Sequence, residues 1–246
     1  LETPASPSKN STIIFLHGFG DDGHGTGYGL AQQFQMYQKL PYTKWVFPTA
    51  HVDRIVGQRC WYRPHDLKPE GPVHEAEDEL EGSNEEEYEK DEEGILKTVQ
   101  YIDSLVAKQI EDGVEPGKIV VGGFSQGGAV STIWGLKGQF RDKVAGVFGL
   151  SGYFPRVKAV AVSLPAESGI EADGDTGGTY APRWFFAHGM ADKMIPISLF
   201  REGQKRLHQY IAREKVEGHV YENLDHDVGR GELRDLWLWL RKVLEE

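Results

Sequence analysis

Short apolar runs alternate along this chain with longer stretches in which apolar residues return every three or four positions. The compact runs are Ser11–Leu16, Trp45–Pro48, Lys118–Val121, Val144–Ser151, Arg183–Ala187 and Val220–Leu224. Each has the length and character of a buried strand. Between them lie segments of helical period. Tyr28 to Tyr37 is weakly amphipathic and stops before Pro41. Ile95, Leu96, Val99, Ile102, Leu105, Val106 and Ile110 mark one face of a long helix that ends at Gly113. Leu199–Ala212 predicts another helix, and Leu233, Leu236, Trp237, Leu240 and Leu244 form the apolar face of a closing one. Strand alternating with helix in this way predicts an α/β fold with a mostly parallel sheet covered on both faces.

One junction in that pattern carries chemistry. Val120-Val121-Gly122-Gly123-Phe124-Ser125-Gln126-Gly127-Gly128-Ala129 reads as strand, sharp turn and helix, with a serine at the apex. Gly123-x-Ser125-x-Gly127 is the spacing of a nucleophile elbow. A Cβ at either flanking position would collide with crossing backbone, and the following helix points its free N–H groups at the serine. Residues Ala129 to Trp134 continue as that helix.

A serine hydroxyl needs a base, and the base needs a third group to orient it. Four histidines follow Ser125. His208 lies inside a predicted helix, His219 leads into a strand, and His188 precedes the acid candidate, which reverses the expected chain order. His226 lies between the last strand and the closing helix and is the expected general base. Asp192, in the loop after the penultimate strand and stiffened by Pro196, is the expected acid. Asp225 and Asp227 adjoin His226, and neighbours in sequence rarely aim their side chains at each other; solvent or capping roles are expected for both. The early glycine loop His17-Gly18-Phe19-Gly20 predicts a second oxyanion donor, the backbone N–H of Phe19, with His17 bracing the loop by hydrogen bonding. Trp61, in the aromatic stretch Gln58–Tyr62, is placed to line a pocket.

Composition narrows the partners. The 246 residues suffice for one large α/β domain, with no Pro/Ser-rich linker and no 20–50-residue repeat. Net charge is −11, and residues 66–93 alone carry −12, leaving the remainder near +1. That acidic segment, with Pro69, Gly71, Pro72, Gly82 and Asn84, is expected to be an exposed, mobile insertion. No basic stripe is present to neutralise phosphates, so nucleic acid is not an expected partner. No D-x-D-x-D-G loop occurs and no metal is expected. No apolar run of about 18 residues predicts a membrane span. Residues Leu1–Asn10 carry no signal-peptide core, and the single cysteine, Cys60, fits a reducing compartment; the expected location is cytoplasmic.

Five ordered motifs resemble one family. Leu16-His17-Gly18-Phe19-Gly20-Asp21 with His24-Gly25, Gly122–Gly128 around Ser125, Leu150-Ser151-Gly152-Tyr153-Phe154-Pro155, His188-Gly189 with Asp192 and Pro196, and His226 are similar to those of the acyl-protein thioesterase, or lysophospholipase-like carboxylesterase, family. The likeness runs from about Thr12 to the C-terminal helix. It implies an α/β-hydrolase fold with little or no cap domain, and cleavage of fatty acyl thioesters on protein cysteines, or of small and medium carboxylesters, without a cofactor. It also implies a catalytic triad of Ser125, Asp192 and His226, an oxyanion hole of the Phe19 and Gln126 amides, and substrate contacts from Trp61, Phe154 and Met194. Two departures stand out: Met190 replaces the first acid of the family's H-G-D-x-D, and the segment after Trp61 is longer and more acidic. A carboxylesterase acting on small molecules, and a binding protein on a hydrolase scaffold, remain as rival readings.

Overall fold

A computed structural model of the protein describes residues 11–64, 91–161 and 182–245. The chain opens with strand β1 (Ser11–Leu16), followed by α1 (Thr26–Met36) and β2 (Thr43–Val46). Helix α2 (Glu92–Glu111) leads through a short 3-10 turn into β3 (Ile119–Phe124), α3 (Gln126–Lys137) and β4 (Gly146–Leu150). Then come a one-turn helix α4 (Lys158–Ala161), β5 (Arg183–Gly189), α5 (Ile197–Leu207), β6 (Val216–Tyr221) and α6 (Arg230–Leu244).

The strands form one sheet in the order β2-β1-β3-β4-β5-β6, and every pairing is parallel. Side chains alternate across it as the pleat requires. From β1, Ile14 and Leu16 belong to the core on one face of the sheet, together with Ile102 of α2, Val130 of α3 and Phe200 of α5. Ile13 and Phe15 belong to the core on the other, together with Leu30 and Phe34 of α1 and Leu236 and Leu240 of α6. With apolar cover on both faces, the central strands read as unbroken hydrophobic runs. Their C-terminal ends, all at one edge, deliver the loops that carry His17, Ser125, Ser151, Asp192 and the approach to His226.

Several sequence-based boundaries shift. The acidic stretch was expected to run to residue 93, but Asp91, Glu92 and Glu93 begin α2 instead. The Asp91 side chain caps it by accepting from Gly94 N at 3.1 Å, and the two glutamates sit at the positive end of the helix dipole. Residues 66–90 of the acidic segment lie outside the described residues; the glycine-rich sequence 156–181, whose composition predicts an irregular loop, is described only to residue 161, and residues 158–161 of it form α4. The last strand spans Val216–Tyr221 rather than Val220–Leu224. It is the sheet's edge and only half buried, so its polar residues hid the strand pattern. The helix expected over Leu199–Ala212 begins at Ile197, directly after Pro196, and closes at Leu207. Among the described residues, no helix is long and apolar enough to cross a membrane.

Candidate active site

Strand β3 delivers Ser125 into a turn that few residues tolerate. Its backbone stands at φ 54°, ψ −121°, while Gln126 already belongs to α3. A residue other than glycine held there stores roughly 1–3 kcal/mol of strain. Close packing on both sides maintains it. A Cβ on Gly123 or on Gly127 would run into the Leu16 carbonyl, so only glycine lets β1, β3 and α3 approach this closely. Ser125 N donates to Leu150 O at 2.8 Å, and Ala129 N donates to Ser125 O at 3.0 Å.

The structure brings Ser125, His226 and Asp192 together from three loops. His226 Nε2 lies 3.0 Å from Ser125 Oγ, and His226 Nδ1 lies 2.7 Å from Asp192 Oδ2. A carboxylate only accepts, so Nδ1 carries the hydrogen and Nε2 presents its lone pair to the serine hydroxyl. The imidazole also packs on the Phe124 ring, with centroids 5.0 Å apart. Asp192 is buried, and its Oδ1 accepts from Met194 N at 2.9 Å and Ile195 N at 2.8 Å. One carboxylate oxygen thus organises its own loop while the other addresses the imidazole.

The loops are tied directly. Ala191 N donates to Leu224 O at 3.0 Å, and Gly189 has no room for a Cβ beside that same carbonyl. Asp225, expected to face solvent or cap, accepts from Lys193 N at 3.2 Å and from His226 N at 2.8 Å, so it clamps the acid's loop to the base's loop. His188, set aside as a base, lies fully buried behind the site. Its Nε2 donates to Ile195 O at 2.8 Å and sits 3.5 Å from Asp192 Oδ2. Burial holds this imidazole below the ordinary histidine value, so it stays uncharged at neutral pH.

Of the two expected oxyanion donors, Gln126 directly follows the serine, and Phe19 follows Gly18 in the loop beside it. Among the described residues, neither Phe19 N nor Gln126 N donates to a protein acceptor. Gly18 rests against the elbow, where a Cβ would lie 3.4 Å from the Ser125 Cβ. The Gln126 side chain holds the neighbouring loop as a strand would: Oε1 accepts from Trp61 N at 3.0 Å, and Nε2 donates to Tyr62 O at 2.8 Å. Sequence reasoning assigned Gln126 only its backbone. The pairing of two main-chain groups on a distant loop had no signal in the motif.

The three expected substrate contacts differ in exposure. Met194 is 64% exposed, two residues beyond Asp192. Trp61 is buried; its Nε1 donates to His17 O at 2.8 Å and its ring lies 4.8 Å from that of His17. It also borders a groove of about 670 Å³ with Tyr62, Thr98 and Tyr101. Phe154 is buried between Tyr210 and the Arg206 guanidinium, which stands 4.6 Å from its ring centre. With Gly152, Phe186 and Phe200 it lines an apolar crevice beside α5. No group of three or more metal-ligating side chains occurs among the described residues.

Comparison with known proteins bears on the family and the fold. Residues 2–244 match the family model described as phospholipase/carboxylesterase. The chain is 33% identical over 251 residues to a Yarrowia lipolytica protein named acyl-protein thioesterase 1, covering 100% of this chain and 97% of that one. A protein of the same name from Emericella nidulans is 29% identical over 246 residues, covering 98% and 93%. Among solved structures, Arabidopsis thaliana SOBER1 superposes with a TM-score of 0.69 at 23% identity, covering 95% of this chain and 99% of that one. Zea mays acyl-protein thioesterase 2 does so at 0.67 and 22%, covering 99% and 98%. Those two show the α/β-hydrolase fold. With nearly its whole length matched by the family model and by a relative of one-third identity, the chain belongs to the phospholipase/carboxylesterase family.

Proposed function

We propose that the protein is a serine hydrolase that cleaves acyl thioesters or carboxylesters through an acyl-enzyme intermediate. The observation that carries this reading is the continuous line from Asp192 Oδ2 through the His226 ring to Ser125 Oγ, at 2.7 and 3.0 Å. In this mechanism Ser125 attacks the acyl carbonyl as His226 Nε2 takes its proton. Asp192 holds the ring in the right tautomer and stabilises the imidazolium. The N–H groups of Phe19 and Gln126 receive the oxyanion, each worth about 3–4 kcal/mol in comparable sites. His226 then protonates the leaving alcohol or thiol, and a water activated the same way releases the acid.

The relatives named acyl-protein thioesterase 1 favour an acylated protein as substrate. The exposed side chains of Phe19, Met190 and Met194 offer an apolar rim to an acyl chain. Trp61 and Phe154 shape the wall from behind, since both are buried. The mechanism calls for no cofactor. Cys60 is free and buried, in keeping with a reducing compartment such as the cytoplasm.

The test has two arms. A fluorophosphonate probe should label the parent at Ser125 and leave Ser125→Ala unlabelled, with hydrolysis of p-nitrophenyl esters lost in the variant. A Ser125→Ala protein hydrolysing at the parent rate would refute the reading. A parent that takes no label would favour a binding protein on this scaffold. An acyl-length series on matched oxygen and sulfur esters, including a palmitoyl-peptide thioester, separates a protein thioesterase from a small-molecule carboxylesterase.

A further inference from the structure

His17 takes no part in the proton transfers above, yet its hydrogen bonds are fully specified. The ring follows directly on β1 and is 2% exposed. Its Nδ1 lies 2.7 Å from Gly18 O, and its Nε2 lies 3.0 Å from Ala50 N. A carbonyl can only accept and an amide N–H can only donate, so the ring is the neutral tautomer with hydrogen on Nδ1. Burial acts in the same direction, holding this imidazole below the ordinary histidine value.

That bond reaches further than the carbonyl it touches. The Gly18–Phe19 peptide is trans and planar, so the Gly18 C=O and the Phe19 N–H point in opposite directions. Holding the oxygen against the imidazole turns the N–H away from it. The flanking peptide groups are also held: His17 O accepts from Trp61 Nε1 at 2.8 Å, and Gly20 N donates to Arg59 O at 2.8 Å. Asp21 N adds a longer bond to Gly18 O at 3.3 Å. Three successive peptide groups are therefore tethered, while the Phe19 N–H has no protein acceptor among the described residues.

We propose that His17 is a positioning residue for the reaction: its Nδ1–H fixes the plane of the Gly18–Phe19 peptide and so aims the Phe19 N–H at the oxyanion. This rests on the reading of the site given above. The two ring nitrogens make separable contributions, because Nδ1 serves the oxyanion loop and Nε2 serves the Ala50 backbone.

Two substitutions divide those contributions. His17→Asn puts an amide N–H near the place of Nδ1 and abandons Ala50; His17→Gln reaches the place of Nε2 and abandons Gly18. The expected result is that His17→Asn melts earlier than the parent but keeps kcat within about threefold. His17→Gln should lose about tenfold or more in kcat with KM within about twofold, since an oxyanion donor acts in the transition state. An acyl trifluoromethyl ketone, whose adduct with Ser125 carries the oxyanion, should lose affinity for His17→Gln by the same factor as kcat. A purely structural brace would order the activities by melting temperature instead. Parent kcat in folded His17→Gln, equal losses in both variants, or a loss confined to KM would each overturn the proposal. Should a variant fail to fold, nitrogen-15 NMR of the parent decides. A His17 ring protonated on Nδ1 alone at neutral pH is required, and an Nε2–H or doubly protonated ring overturns the proposal. Activity surviving in Ser125→Ala would sink the reading of the site itself, whereas the tautomer and the order of the two variants bear on this step by itself.

Discussion

Asp192 shows how much a single carboxylate settles at the site. Because Oδ1 is occupied by two backbone N–H groups of its own loop, only Oδ2 faces the imidazole, and the tautomer of His226 follows from that one contact. Asp192→Asn would preserve the size but present an N–H to His226 Nδ1, turning the ring's other hydrogen toward Ser125. A loss of roughly 10³–10⁴-fold in kcat is expected, measured on an aryl ester at saturating substrate. A loss below tenfold would mean that the tautomer is set by something else. Asp225 is a milder case. Its carboxylate spans the Lys193 and His226 amides, so Asp225→Ala should loosen both catalytic loops and lower kcat by about three- to tenfold, with thermal stability nearly unchanged because the group is exposed. Neither residue's second duty was legible in the sequence. The position of Asp192 after a strand marked it as the acid, but Asp225 beside His226 looked like a bystander, because sequence adjacency says nothing about the loop it reaches across to.

At the scale of elements, the strand–turn–helix of the elbow was the clearest feature of the sequence and is the most constrained part of the fold. The glycines at 123 and 127 report a steric requirement that any residue with a Cβ would violate. Gly127→Ala is therefore expected to destabilise the protein by several kcal/mol, or to prevent folding, since the obstruction is the backbone of β1 rather than a side chain able to move. Helix α2 offers the opposite test. Asp91 accepts from Gly94 N and from Arg63 N, so Asp91→Ala should cost about 0.5–2 kcal/mol in denaturant unfolding. The esterase rate should be unaffected. Periodicity located α2 from its apolar face but missed its first turn, since three acidic residues there continued an acidic run. Strand β6 was misplaced for a related reason: an edge strand keeps polar residues on its open side, and an apolar run is then the wrong signal to seek.

At the scale of the whole molecule, a buried carboxyl outside the active site has global consequences. Glu232, in the first turn of α6, is fully buried; Oε2 accepts from Gly229 N at 3.2 Å, and Oε1 has no partner among the described residues. Burial pushes its carboxyl up to about 8 from an ordinary 4.5. The sign follows from linkage. Between those values the unfolded chain has released this proton and the folded chain still holds it, so stability falls as pH rises from about 4.5 to about 8 and levels off above. Glu232→Gln retains an acceptor for Gly229 and removes the titration. It should be more stable than the parent at alkaline pH, by on the order of 3–5 kcal/mol at most, with the difference shrinking toward pH 5. Urea unfolding of both proteins at pH 5.5 and 8.5 checks this, and parallel pH dependences would contradict it.

The sequence by itself determined the alternation of buried strands and amphipathic helices, the elbow with its serine, and the chain order in which acid and base follow. These are local properties: hydrophobic period, glycine where a Cβ has no room, and a loop after each strand. Only the tertiary structure decided which groups meet. All six strands among the described residues run parallel, so residues 17, 125, 192 and 226 emerge at one sheet edge although up to 209 positions separate them. The hydrogen bonds that brace their loops then come from Gln126, Trp61 and Asp225, side chains that reach partners distant in the chain. A pairing of that kind depends on packing geometry summed over the whole sheet, and no stretch of sequence contains it.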